Sequence, residues 1–188
     1  MTRTLLALML STAFAIGACQ KNDSAANNHT LAVDNLTVEN ADLGNAATTG
    51  TVDAAFLTDA MKGDNSEVAL GKIAQVKGGS QGVKDLGAML VANHGAHKTQ
   101  VAALAQQAGV PVTDDLTDEA KSLETKLNGL SGADFDKAFI DAAVEDHEKD
   151  IAKYEQQAKS SDAQTAQLAQ QTLPTLHKHL DAAKARQK

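Results

Sequence analysis

From Val52 onward, apolar residues recur at intervals of three and four, the repeat of helices with one buried face. The first run covers Val52 to Met61, and Lys62-Gly63-Asp64-Asn65 interrupts it. The pattern therefore predicts a short first piece and then a helix from about Ser66 to Lys77. Gly78-Gly79-Ser80 stops that helix, and Ser80 is placed to cap the next. A second long helix is predicted from Gln81 to Ala108, ended by Gly109-Val110-Pro111. A small helical hairpin is expected over Asp115 to Leu130, starting near Thr117. Ser131 opens a third long helix that runs to Lys159, and Ser160-Ser161-Asp162 forms a turn with a ready cap. The fourth runs from Asp162 to Arg186 and carries Pro174, which is predicted to kink it. No stretch alternates convincingly at the two-residue period of a strand.

The stripes are continuous. At about 100° per residue, Val83, Leu86, Leu90, Val101 and Leu104 share one face of the second helix. Ile140, Val144, Ile151 and Tyr154 do the same on the third, and Ala169, Leu173, Leu176, Leu180 and Ala183 on the fourth. Four amphipathic helices with short connections predict an all-α fold, an antiparallel four-helix bundle over residues 52–188 with the small helical hairpin between helices two and three.

The N-terminus has a different pattern. Arg3 precedes a short apolar run, Leu5 to Ile16, which is shorter than the roughly 20 residues a membrane span needs. It suits a signal peptide over residues 1–18. Ile16-Gly17-Ala18-Cys19 then resembles a bacterial lipobox, in which the cysteine is lipidated and becomes the mature N-terminus. Cys19 is the only cysteine, so no internal disulfide competes for it. Gln20, a residue other than Asp after the cysteine, points to the outer membrane by resemblance to sorting in Gram-negative bacteria. Residues 20–50 are rich in Asn, Ala, Thr, Ser and Asp without lasting periodicity. They read as a tether, from Cys19 to residue 51, with a reach on the order of 30 Å. The expected location is the cell envelope, anchored to the membrane through lipid and facing the periplasm. A net charge of −7 with no basic stripe argues against a nucleic-acid partner.

Candidate chemistry lies in the histidines. His94 and His97 fall within about 40° of the centre of the second helix's apolar stripe. His147 lies near the centre of the third helix's stripe. His179 lies toward the edge of the fourth's, and His177 points farther out. Imidazoles on facing stripes are one way a bundle builds a metal site. If the turns at Gly79 and Ser160 lie at the same end, as up-down connectivity requires, axial depth follows from the rise per residue. Glu67, His147 and His94 then lie about 18, 20 and 22 Å down, and His97 and His179 about 27 and 28 Å down. Two tiers are expected: Glu67, His94 and His147 above, His97 and His179 below. The candidate ligands for a divalent transition metal are therefore Glu67, His94, His97, His147 and His179. A buried His–carboxylate network without metal, or partly exposed histidines with no role, would fit the same spacing. The paired Glu-x-x-His of di-iron bundles is missing, since Val91 and Val144 stand where its glutamates would be.

Five blocks resemble a known family. They are Glu67-Val68-Ala69-Leu70-Gly71-Lys72, Met89 to His94, Leu130 to Asp136, Val144 to Glu148, and Thr172 to Leu180. In this order, over about residues 52–186, they resemble domain of unknown function 4142, a family of exported bacterial proteins described as outer-membrane proteins. The resemblance implies a ferritin-like bundle and matches the family pattern at Glu67, His94, His147 and His179. His97 is an addition of this sequence. Asn93 departs from the acidic residue the family often carries there. The family carries no established reaction. No phosphate-binding Gly-rich loop, Gly-x-Ser-x-Gly elbow or other nucleophile arrangement occurs, so no catalytic residue is assigned. The sequence leaves three readings: a non-enzymatic, stress-related or metal-binding bundle, a ferritin-like oxidase or redox enzyme, and a structural envelope interaction module.

Overall fold

The computed structural model describes residues 52–187. The expected signal peptide, Cys19 and the tether to residue 51 lie outside the described residues. Those described are all-α, with five helices: α1 (Ala54–Lys77), α2 (Gln81–Gln107), α3 (Asp118–Asn128), α4 (Gly132–Gln157) and α5 (Ala163–Lys184). No helix among them is long and apolar enough to cross a membrane. The expected cap at Ser80 is present, accepting from the Val83 N–H, and Asp162 caps α5 through the Gln164 N–H. α5 continues through Pro174.

Two expectations need correction. The break at Lys62–Asn65 does not occur, and α1 is one helix of 24 residues. Asp64 and Asn65 favour turns because their side chains compete for nearby backbone groups. Here both side chains have distant partners instead. Asp64 accepts from His94 and His97, and the Asn65 amide donates to the carbonyls of Thr113 and Asp115, each at 3.0 Å. The helical hairpin between the second and third long helices is a single helix, α3, capped by Thr117.

The connectivity also departs from up-down. The Gly79 and Ser80 N–H groups donate to Asp136 near the start of α4, at 2.7 and 2.8 Å. At the other end, the Asp53 N–H before α1 donates to Asp162 before α5 at 2.9 Å. The turns at Gly79 and Ser160 therefore lie at opposite ends, and residues 108–131 cross the length of the helices. This crossover is laced to α1. The Ser66 Oγ accepts from the Thr117 N–H at 3.0 Å, and Lys77 Nζ donates to the carbonyls of Leu127 and Asn128.

α1 packs mainly on α2, and α4 mainly on α5. The α1–α2 approach is close because both helices present glycine. A Cβ on Gly71 would stand 2.8 Å from the Gly87 carbonyl oxygen, and one on Gly87 would stand 2.6 Å from that of Gly71. Apolar side chains gather in two clusters. One holds Leu70, Leu86, Leu90, Phe135, Phe139 and Val144; the other holds Leu57, Met61, Val101, Ile151, Tyr154 and Leu176. Between them, along every long helix, runs a buried polar layer that contains Asp64, His94, His97, His147 and His179.

Candidate metal centre

The layer is built one helix at a time. On α2, His94 and His97 are spaced three apart and so share a face. Both rings turn toward α1, where the buried Asp64 receives them. The His94 Nδ1–H donates to Asp64 Oδ1 at 2.9 Å, and the His97 Nδ1–H donates to Oδ2 at 2.8 Å. The Nε2 atoms of His94 and His97 are buried and have no hydrogen-bond partner. On α4, the His147 Nδ1–H donates to the Ala143 carbonyl one turn back at 2.8 Å. That bond leaves Nε2 with a free lone pair, 3.1 Å from Nδ1 of His179 on α5. His179 Nε2 in turn lies 2.8 Å from the Asn93 amide nitrogen.

His94, His147 and His179 thereby form a triangle. Ring centroids are 5.6 Å apart for His94–His147, 5.1 Å for His94–His179 and 5.2 Å for His147–His179. One nitrogen from each ring lies within 4.8 Å of the other two. A tetrahedral ion with bonds of about 2.0–2.1 Å holds its ligand atoms about 3.4 Å apart. The His147–His179 pair already meets that spacing, and His94 needs a shift on the order of 1 Å. The residues His94, His147 and His179 are 5%, 1% and 1% exposed. Burial disfavours the imidazolium, as do the neighbouring rings, His94 foremost. Together they lower His147 to about 4 and His179 to about 3. Both rings are therefore neutral at physiological pH, the form that ligates a metal.

The other two candidates stand outside the trio. His97 is bound to Asp64, with its ring 5.8 Å from that of Tyr154. Glu67 is buried on α1 but lies beside Asp146 and lines a cleft between α1 and α4. Its carboxyl is held well above the usual carboxylate range, first by burial and then by the charge of Asp146. Asp150, one turn past Asp146, is pushed up to about 6 by burial and by the same neighbour. His177 is exposed. The expected tiers thus regroup. The crossover reverses α4 and α5 relative to the assumed frame, which leaves His147 near mid-helix but removes the reason for placing His179 beside His97.

Sequence reasoning missed Asp64 and Asn93. Asp64 stands in the Lys62–Asn65 stretch that reads as a helix break, and its spacing of three from Glu67 is the signal that both share a face. Asn93 was visible only as a departure at the position preceding His94.

No curated protein and no solved structure matched the chain. A family model matches residues 38–185, reaching fourteen residues further toward the N-terminus than the periodic helical pattern. With that match spanning most of its length, the chain belongs to the family described as domain of unknown function (DUF4142).

Proposed function

We propose that this protein is a membrane-tethered envelope lipoprotein whose helical domain binds a divalent transition metal, zinc foremost, through His94, His147 and His179. The observation that carries the metal reading is the trio itself: three buried imidazoles from three helices, with one nitrogen each inside a 4.8 Å sphere of mutual distance. Imidazole ligands suit zinc and its neighbours, and three of them with a fourth position open match a tetrahedral ion.

The surrounding groups favour the same reading. A ligating histidine is normally held by a bond from its other ring nitrogen. His94 has Asp64 for this purpose and His147 has the Ala143 carbonyl. For His179 to ligate through Nδ1, its proton must sit on Nε2, facing Asn93. The Asn93 amide can present its oxygen there after a half-turn, since it carries an acceptor at one end and donors at the other. Without metal, the reverse orientation lets His179 donate from Nδ1 to His147. One asparagine thus serves both states.

The tether and anchor rest on the sequence. Arg3, the apolar run and Ile16-Gly17-Ala18-Cys19 fall in the order that lipoprotein export requires. The proposed frame is a ferritin-like antiparallel four-helix bundle. Its support is the pairing of four long helices with one long crossover, the connection that distinguishes ferritin-like folds from up-down bundles. The test is metal content and zinc titration of untagged protein. The wild type should bind about one ion per chain, and His147→Ala and His94→Ala should each abolish tight binding. Equal binding by these variants would overturn the assignment.

A further inference from the structure

The histidine trio is sealed from the surface, so an ion needs a route to it. Between α1 and α4, under α3, lies a cleft of about 570 Å³. Its lining carries seven acidic side chains against four lysines, and Glu67, Asp146 and Asp150 are among the acidic ones. Among the described residues none of these three pairs with a lysine, although lysines line the same cleft. Of these, Lys149 is committed to Glu145 and Lys153 to Asp59, at 2.6 and 2.9 Å, and Lys62 and Lys126 complete the basic lining. Deeper in lies a second cavity of about 20 Å³, bounded by Asp64, His94, His97 and Tyr154. That is room for one water or one ion. The two buried nitrogens without a partner, Nε2 of His94 and of His97, belong to residues that line this inner cavity.

The cleft and the inner cavity share four lining residues: Asp59, Gly63, Asp150 and Lys153. Gly63 is inside α1, where glycine costs about 0.5–1 kcal/mol relative to alanine. No packing demands it, because a Cβ there would meet nothing within 4 Å. The space beside it is the junction of the two cavities. The Lys153–Asp59 ion pair ties α4 to α1 at the same junction.

We propose that the carboxylate-lined cleft is the vestibule by which a hydrated divalent cation reaches the histidine centre, through a neck between Gly63 and Asp150. This rests on the metal-binding reading above. An excess of acidic over basic side chains in a confined cleft concentrates cations and speeds their capture. The inner cavity with its unpartnered imidazole nitrogens is the last step before the trio. The absent side chain at Gly63 keeps the neck open.

The test is stopped-flow Co²⁺ binding to the full chain, followed by the ligand-field absorption of the ion. Gly63→Leu should slow association and dissociation roughly tenfold each and leave Kd within about twofold, because a narrowed path changes rates without changing ligands. Gly95→Leu fills an equally open helical glycine that lines neither cavity, and should leave both rates unchanged. Asp150→Asn, which removes charge without adding volume, should slow association and flatten its dependence on ionic strength. Wild-type association rates in both Gly63→Leu and Asp150→Asn would overturn the vestibule while leaving the metal centre standing. Failure of the wild type to bind Co²⁺ at all would instead overturn the metal centre, and the vestibule with it.

Discussion

Asp64→Ala probes the polar layer most sharply. The carboxylate is 3% exposed and accepts from two imidazoles that are themselves buried. Hydrogen bonds to a charged group contribute about 1.5–3 kcal/mol each, so losing two removes about 3–6 kcal/mol. Relief of the repulsion between Asp64 and the nearby Glu67 and Asp150 carboxyls offsets part of that. A net loss of about 3 kcal/mol is expected, a large fraction of the roughly 5–15 kcal/mol that holds a domain of this size. Asp64→Asn should lose about half as much, since an amide oxygen accepts from one imidazole while its NH₂ opposes the other. Urea unfolding followed by circular dichroism, at pH 7 with chelator, measures both. The same variants should weaken zinc binding about 10–100-fold by freeing His94 to rotate. A loss below about 1 kcal/mol in Asp64→Ala would refute the reasoning, because it would mean that the two imidazoles find other partners at little cost.

Other consequences follow from particular residues. His147 and His179 titrate lower when folded than the ordinary imidazole value of 6.5, so the unfolded chain binds more protons and stability falls as pH drops from 6.5 through about 4 and toward 3. Asp150 acts in the opposite sense: its folded value of about 6 exceeds 3.8, so its ionisation destabilises as pH rises through that window. Asp150→Asn should therefore raise stability at pH 7 by up to about 3 kcal/mol and steepen the loss below pH 6, as read from unfolding midpoints across pH. Gly87→Ala should destabilise by about 1–3 kcal/mol despite alanine's better helix propensity, because its methyl meets the Gly71 carbonyl; a rise in thermal midpoint would show that α1 and α2 can separate freely. Cys19→Ala should release the protein from membranes or block its maturation, and a variant that still fractionates wholly with membranes would contradict lipidation.

Much of the fold was legible because it depends on local repeats. Val83, Leu86, Leu90 and Val101 are buried as their spacing required, and so are Ile140, Val144, Ile151 and Tyr154. Leu104, Leu173 and Leu180 are half-buried against the same clusters. His94 and His147 were recognisable for the same reason, since each sits on its helix's apolar stripe. What failed was non-local. The signal at Lys62–Asn65 reads as a break because local propensity cannot register His97 or the Thr113 carbonyl as partners for Asp64 and Asn65. The crossover of residues 108–131 could not be read from the connection's composition, and with it went the pairing of His179 with His147. Glu67 shares a face with Asp64, yet periodicity alone could not say which of the two carboxylates would meet the imidazoles.

The central claim is that His94, His147 and His179 bind one ion together. X-ray absorption at the zinc edge, on untagged protein loaded with one equivalent of zinc, tests it most directly. Three imidazole nitrogens at about 2.0–2.1 Å, with a single light-atom ligand completing the sphere, are expected. Loss of that signal is expected in His147→Ala and His179→Ala. A first shell dominated by carboxylate oxygens, or an imidazole shell that persists in both variants, would contradict the claim.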